Sequence, residues 1–182
     1  MCNSCLLSIA FGLKEAHSEG EKNAVNRFVE EMEKKDPRGL KVKDYFISNV
    51  GRRFLLNHSF VPNAVGHLVL QPIAHITQLH EPFAKSQGKI SASEKDASQL
   101  ILVIRKVSSL LEECLTSQGY PPEKIYLCSF NESSDWHLHF HIVPRAKQEV
   151  IVGPSLMACA GRKITREEVE NVVNCLRKRL NR

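Results

Sequence analysis

The stretch that decides the reading is His137-Leu138-His139-Phe140-His141-Ile142-Val143, closed by Pro144. Polar and apolar residues alternate through it, which is the period of a half-buried β-strand. All three imidazoles then share one face. Leu138, Phe140 and Ile142 share the other, where they can bury against a helix. Same-face neighbours on a strand lie roughly 6.6 Å apart, so three imidazoles in a row do not fill a core. Nor do they suit one common ion, whose bonds to nitrogen are about 2 Å long. Histidine acts as nucleophile, as general acid or base, and as donor to phosphoryl oxygens near neutral pH. The polar run Asn131-Glu132-Ser133-Ser134-Asp135 just before it supplies partners for a ligand. The strand reads as catalytic.

Outward from this strand, apolar residues mark the other elements. Ala97, Leu100, Ile101, Ile104, Val107, Leu111, Cys114 and Leu115 recur at helical spacing. Ser91 and Glu94 precede them as a capping box, and Gly119-Tyr120-Pro121 stops the helix. Strands are expected over 45–49, 54–57, 66–71, 125–130 and 136–143. Ala24, Val25, Phe28, Val29 and Met32 predict a helix over 21–35, broken by Asp36-Pro37-Arg38-Gly39. Thr165 and Glu168 form a second capping box before Val169, Val172, Val173, Leu176 and Leu180, a C-terminal helix. Strands clustered between separate helices predict an α+β fold. Its antiparallel sheet has about five strands, packed with helices, and carries an extra N-terminal and an extra C-terminal helix.

Composition narrows the class. The chain has 182 residues, 42% hydrophobic and 25% charged, the balance of one globular domain spanning 1–182. A core over 54–145 carries an N-terminal segment 1–53 and a C-terminal extension 146–182. Six cysteines in this length are too dilute for a secreted disulfide scaffold. No apolar run reaches the ~20 residues of a membrane span. Residues 6–13 (LLSIAFGL) lack the basic flank and cleavage site of a signal peptide. A soluble, cytoplasmic, reduced protein is expected. Of the net charge of +5, residues 162–182 hold +4, as seven Lys or Arg against three Glu. A basic helix end near its own C-terminus is favoured by the helix dipole alone, so this charge does not predict a nucleic-acid partner.

The triad resembles the signature of the histidine triad (HIT) superfamily at every position. Gly66-His67-Leu68-Val69-Leu70-Gln71-Pro72-Ile73-Ala74-His75 is similar to a second family strand, and Pro144-Arg145 to the family's Pro-Arg after the triad. Cys2 and Cys5 resemble its N-terminal Cys-x-x-Cys. The resemblance covers roughly residues 54–145. It implies a HIT-like fold and an enzyme, a nucleotide hydrolase or transferase. Such an enzyme cleaves a purine nucleotide at the α-phosphorus through a nucleotidyl-histidine, from a dinucleoside polyphosphate or a nucleoside phosphoramidate. His139 is then the nucleophile. His141 binds the phosphoryl oxygens, His67 is the fourth active-site histidine, and Ser134 touches the phosphate or leaving group. Asn57 and Ser59 are candidates for the ribose hydroxyls, with Asn131 and Ser133 as further nucleotide-binding residues. The resemblance also implies a homodimer.

It implies a structural zinc as well. Cys-x2-Cys is half a zinc site by spacing, and the resemblance supplies the other half: Cys2, Cys5, His75 and His137. The segment 131–136 is shorter than the family's loop and lacks its Gly and Gln, so the leaving group is expected to differ. The alternative is a nucleotide-binding regulatory module with little turnover. The uridylyltransferase branch has Gln where this chain has His141. DNA-end deadenylation is disfavoured, because nothing after Ala146 resembles the zinc module of those relatives. Cys114 and Cys175 are expected as inert thiols on apolar helix stripes and Cys128 as an inert strand thiol, with Cys159 unassigned. His17, His58 and His80 are expected on loops or the surface.

Overall fold

Alternation builds the sheet. The computed structural model describes residues 1–79, 94–130, 137–147, 155 and 163–181. Its strands are β1 (Phe46–Val50), β2 (Phe54–His58), β3 (Leu68–Pro72), β4 (Pro122–Cys128) and β5 (Phe140–Ala146). They form one antiparallel sheet in the order β1-β2-β3-β5-β4. The helices are α1 (Asn3–Ala10), α2 (Glu19–Lys35), α3 (Val42–Tyr45), α4 (Glu94–Ser117) and α5 (Arg166–Leu180). The α+β reading and its five-stranded antiparallel sheet hold.

Register sorts the two faces. Leu56 pairs with Leu70, Leu70 with Phe140, and Leu68 with Ile142. These side chains share one face and bury against Leu100, Val107, Leu111 and Leu115 of α4 and Val169, Val172, Val173 and Leu176 of α5. Each such side chain withdrawn from water stabilises the fold by about 1.5–3 kcal/mol before ordering costs. The capping box of Thr165 and Glu168 starts α5 as expected. On the other face Leu55 pairs with Gln71, Asn57 with Val69, and Val69 with His141. There α1 and α2 cover only the β1–β2 end, through Leu7, Leu55, Phe11, Phe28 and Met32. The polar half of that face, around β3 and β5, is left for a ligand.

Several sequence expectations need correction. β5 begins at Phe140 rather than at 136, so His137 and His139 precede it. The cause is the neighbouring chain: β3 pairs with β5 only over Leu68–Leu70, and the Leu138 amide donates instead to the Ile76 carbonyl at 2.8 Å. β5 also runs through Pro144. Beyond Ile142 it is bonded, among the described residues, to β4 alone, where a missing N–H on the other side costs little. β4 starts at Pro122, earlier than expected. The apolar run 6–13 belongs largely to α1, whose Leu6 and Leu7 are buried. His58 is fully buried, not on a loop, because alternation from Phe54 and Leu56 turns it to the core face. Cys114 and Cys175, expected as free thiols of a reduced protein, are joined in a disulfide, because the packing of α4 on α5 brings their Cα atoms to 5.9 Å. Ser91, His80 and Cys159 lie outside the described residues.

Candidate active site

Four histidines meet where β3 and β5 lie side by side, and backbone groups dictate where each holds its proton. The Asn63 amide donates to His67 Nδ1 at 3.2 Å, so that nitrogen is an acceptor. Neutral His67 then carries its proton on Nε2, which lies 2.9 Å from His141 Nδ1 and donates to it. His141 in turn carries its proton on Nε2. His139 Nδ1 is 2.9 Å from the His137 carbonyl, which can only accept, so His139 Nδ1 carries a proton, and in the neutral form of the ring Nε2 is the lone-pair nitrogen. The arrangement sets a nucleophilic nitrogen beside an N–H donor. The His139 and His141 rings meet edge to face with centroids 5.0 Å apart. Phe130 covers His141 from the β4 side, at 6.0 Å between centroids.

Burial fixes the charge of this pair. Desolvation lowers the pKa of His67 to about 3, with the nearby His141 and His58 adding repulsion. Desolvation, then His139, lowers His141 to about 4. Both are neutral at pH 7, as the proton assignment requires. Buried His58 is likewise lowered to about 4, mainly by desolvation, and its Nδ1–H donates to the Ser59 carbonyl at 3.0 Å.

These groups open on a cavity of about 750 Å³ lined by His137, His139, His141, Asn57, Ser59 and Gln71, with apolar walls from Phe60, Val69 and Leu7. That volume is within the range of small-molecule and cofactor sites. Asn57 is 1% exposed; its Nδ2 donates to the His58 carbonyl, but its Oδ1 has no partner among the described residues. A buried, unpaired acceptor at a cavity wall is costly unless a ligand donor meets it. Phe60 is held in place by Arg38 Nη2, which donates to its carbonyl, and by the Tyr45 ring at 4.5 Å. Gln71, Phe60, Asn63 and Phe130 were not among the sequence candidates. Only Gln71 left a signal, as a polar residue on an otherwise apolar strand. Ser134, Asn131 and Ser133 lie outside the described residues.

Cys2, Cys5, His75 and His137 come together beside the cavity, which Cys2 and His137 also line. His137 Nε2–H donates to the Pro72 carbonyl at 2.7 Å, leaving Nδ1 as the free donor atom. The sulfurs of Cys2 and Cys5 lie 3.5 and 3.4 Å from His75 Nδ1, and both 3.7 Å from His137 Nδ1. A tetrahedral zinc, with bonds of about 2.3 Å to sulfur and 2.0 Å to nitrogen, has S···N edges of roughly 3.5 Å. The set fits that geometry. The thiol of Cys5 donates to Cys2 and lowers the Cys2 pKa to about 3, while the same contact raises Cys5.

No protein-family model matches the chain, and no curated protein matches it. Solved structures similar to it include a Zn-bound histidine triad family protein from Mycobacterium smegmatis. That similarity is 16% in identity, covers 85% of this chain and 92% of the other, and has a TM-score of 0.47. A Hit-like protein involved in cell-cycle regulation from Bartonella henselae is similar at 17% identity over 69% of this chain and 79% of its own, with a TM-score of 0.47. A hypothetical histidine triad nucleotide-binding protein from Sulfolobus tokodaii shows 16% identity over 75% of this chain and 83% of its own, with a TM-score of 0.44.

Proposed function

We propose that this chain is a histidine triad protein that binds a purine nucleotide and cleaves it at the α-phosphorus. The observation that carries this reading is the hydrogen-bond pattern: His139 Nδ1 meets the His137 carbonyl and His141 Nδ1 meets His67 Nε2, which leaves the Nε2 of each cavity-lining ring for a ligand. In the first step His139 Nε2 attacks the α-phosphorus, and the bond to the leaving group breaks with its electron pair. His141 Nε2–H donates to a phosphoryl oxygen as charge gathers there. Water then splits the P–N bond, releasing the nucleoside monophosphate and restoring His139. His67 acts by fixing the proton on His141. Asn57 Oδ1 accepts from a ribose hydroxyl, and Ser59 stands beside it. In this reading Ser134, Asn131 and Ser133 face the phosphates or leaving group.

Cys2, Cys5, His75 and His137 hold a structural zinc in this proposal, which ties α1 to the sheet. The protein is a single domain over 1–182. It pairs as a homodimer through the β4 edge of the sheet and the outer face of α4, where Leu127, Ile101 and Leu102 are 47%, 60% and 62% exposed. Light scattering on an Ile101→Glu variant tests that pairing, which a monomeric wild type would rule out. No helix among the described residues is long and apolar enough to cross a membrane. A cytoplasmic setting is part of the proposal.

The reaction is tested by quenching turnover of a dinucleoside polyphosphate or an adenosine phosphoramidate in alkali. Phosphoramidates survive base, so the peptide containing His139 should carry the mass of one nucleoside monophosphate. The His139→Ala variant should lose activity by several orders of magnitude. Near-normal turnover in His139→Ala would sink the mechanism. A wild type that binds AMP and cleaves nothing would point to the regulatory module.

A further inference from the structure

Met1, Asn3, Ser4 and Leu7 line the same cavity as the histidines. Cys2 and Cys5, from the same short stretch, belong to the sulfur–imidazole set. One wall of the pocket and half of the ligand set are therefore the same few residues. Little else holds the start of that wall. α1 has only eight residues, too few to be stable without tertiary support. Leu6 and Leu7 anchor its middle by burial. Its first turn has no side-chain cap from Cys2, and Met1 is 61% exposed. Besides the set, its polar tie to the sheet among the described residues is a long one, from Gln71 Nε2 to the Ser4 carbonyl at 3.4 Å. A segment held by so few contacts opens at low cost in free energy.

The set also reaches the opposite side of the pocket. His137 Nδ1 faces the two sulfurs, and the His137 carbonyl accepts the proton that orients His139. Filling the set would fasten the α1 wall and steady the residue behind His139 at once.

We propose that the Cys2–Cys5–His75–His137 set regulates the pocket, so that metal and nucleotide bind with positive cooperativity. The inference rests on the nucleotide reading of the cavity. It follows from shared structure rather than from contact between the two ligands. Each ligand orders residues that the other needs ordered, so the second to bind meets a smaller ordering cost. Linkage then requires the effect to be reciprocal: whatever factor zinc adds to nucleotide affinity, nucleotide adds to zinc affinity.

The test uses the full chain, chelator-stripped or zinc-loaded, with AMP as the probe. Calorimetry should show AMP binding tighter to the loaded form by on the order of tenfold. Competition with a chromophoric chelator should show zinc held tighter by the same factor when AMP is present. His75 is exposed and does not line the cavity, so His75→Ala removes a metal ligand without removing a pocket contact. In limiting zinc, His75→Ala should bind AMP as the stripped wild type does. Equal AMP affinity in stripped and loaded wild type, within about twofold, would overturn the linkage while leaving the nucleotide reading intact. AMP binding to neither form would overturn the nucleotide reading and the linkage with it. Circular dichroism on each sample covers the remaining case: if stripped protein is unfolded, the set is a staple of the fold and not a regulator, and the proposal fails.

Discussion

His67 Nε2 lies 2.9 Å from His141 Nδ1, and the direction of that hydrogen bond is dictated from outside the pair, by the Asn63 amide on His67 Nδ1. A backbone N–H in one turn thereby decides which nitrogen of His141 faces the cavity with a proton. Replacing His67 by Phe keeps the bulk and removes this control. His141 would then hold its proton on either nitrogen. We expect turnover to fall, by no more than the roughly 10²-fold loss of a direct transition-state donor, with AMP affinity little changed. Steady-state kinetics and calorimetry check the split. An equal loss in both would mean that His67 only shapes the pocket.

Acid stability should report the buried histidines. His58, His67 and His141 have folded pKa values of about 4, 3 and 4, below the unfolded 6.5. As pH falls below 6.5 the unfolded chain takes up protons that the folded chain refuses. Their contribution is therefore constant above pH 6.5 and is lost from there down to about pH 4 for His58 and His141 and about pH 3 for His67. The slope is at most about 1.4 kcal/mol per pH unit for each histidine. Urea titrations of His58→Leu across this window should give a shallower pH dependence than the wild type. An unchanged slope would show that His58 does not titrate with unfolding.

Gly66 stands at φ +82°, where a side chain is strained, and an added Cβ would meet Leu111 Cδ1 at 3.0 Å and Leu115 Cδ1 at 3.2 Å. Both leucines are fully buried, so they have little room to yield. Gly66→Ala should cost about 1–3 kcal/mol in chemical denaturation. Because the strained residue directly precedes His67, turnover of the dinucleoside polyphosphate should also drop. A variant of wild-type stability would mean that the α4 leucines yield freely.

The bond between Cys114 and Cys175 closes a long loop, with 61 residues of sequence separation. By chain entropy it should stabilise the fold by about 4 kcal/mol. Alkylation in denaturant without reductant should leave both residues unmodified, and reductant should lower the melting temperature. If both label readily, the two thiols are neighbours that are not bonded.

Local pattern carried much of this molecule. The alternation in 137–143 marked the histidine face, and the stripe from Leu100 to Leu115 marked the helix behind it. The pairing of Thr165 with Glu168 marked the start of α5. What escaped were outcomes decided by distant partners. His137 and His139 lie before the strand because Ile76 claims the Leu138 amide. Pro144 looked like a terminator because nothing local says that β5 there has, among the described residues, a neighbour on one side only. Cys114 and Cys175 each sit on an apolar stripe, and only helix packing makes them adjacent. At the candidate site, residue types were readable and proton positions were not, since Asn63 and Pro72 act through their backbone atoms.

The zinc-like set joins residues that are far apart in the chain: 73 positions separate Cys2 from His75, and 135 separate it from His137. Loops of that length close late, once other contacts have already offset their entropy. During synthesis Cys2 and Cys5 emerge long before His137 exists, so they wait as exposed thiols beside an unfinished sheet. On the proposed zinc reading, metal capture would mark the end of assembly. In refolding from denaturant, zinc uptake should follow the slowest phase of sheet formation. Uptake that runs ahead of it would mean that a pre-folded fragment already binds the ion.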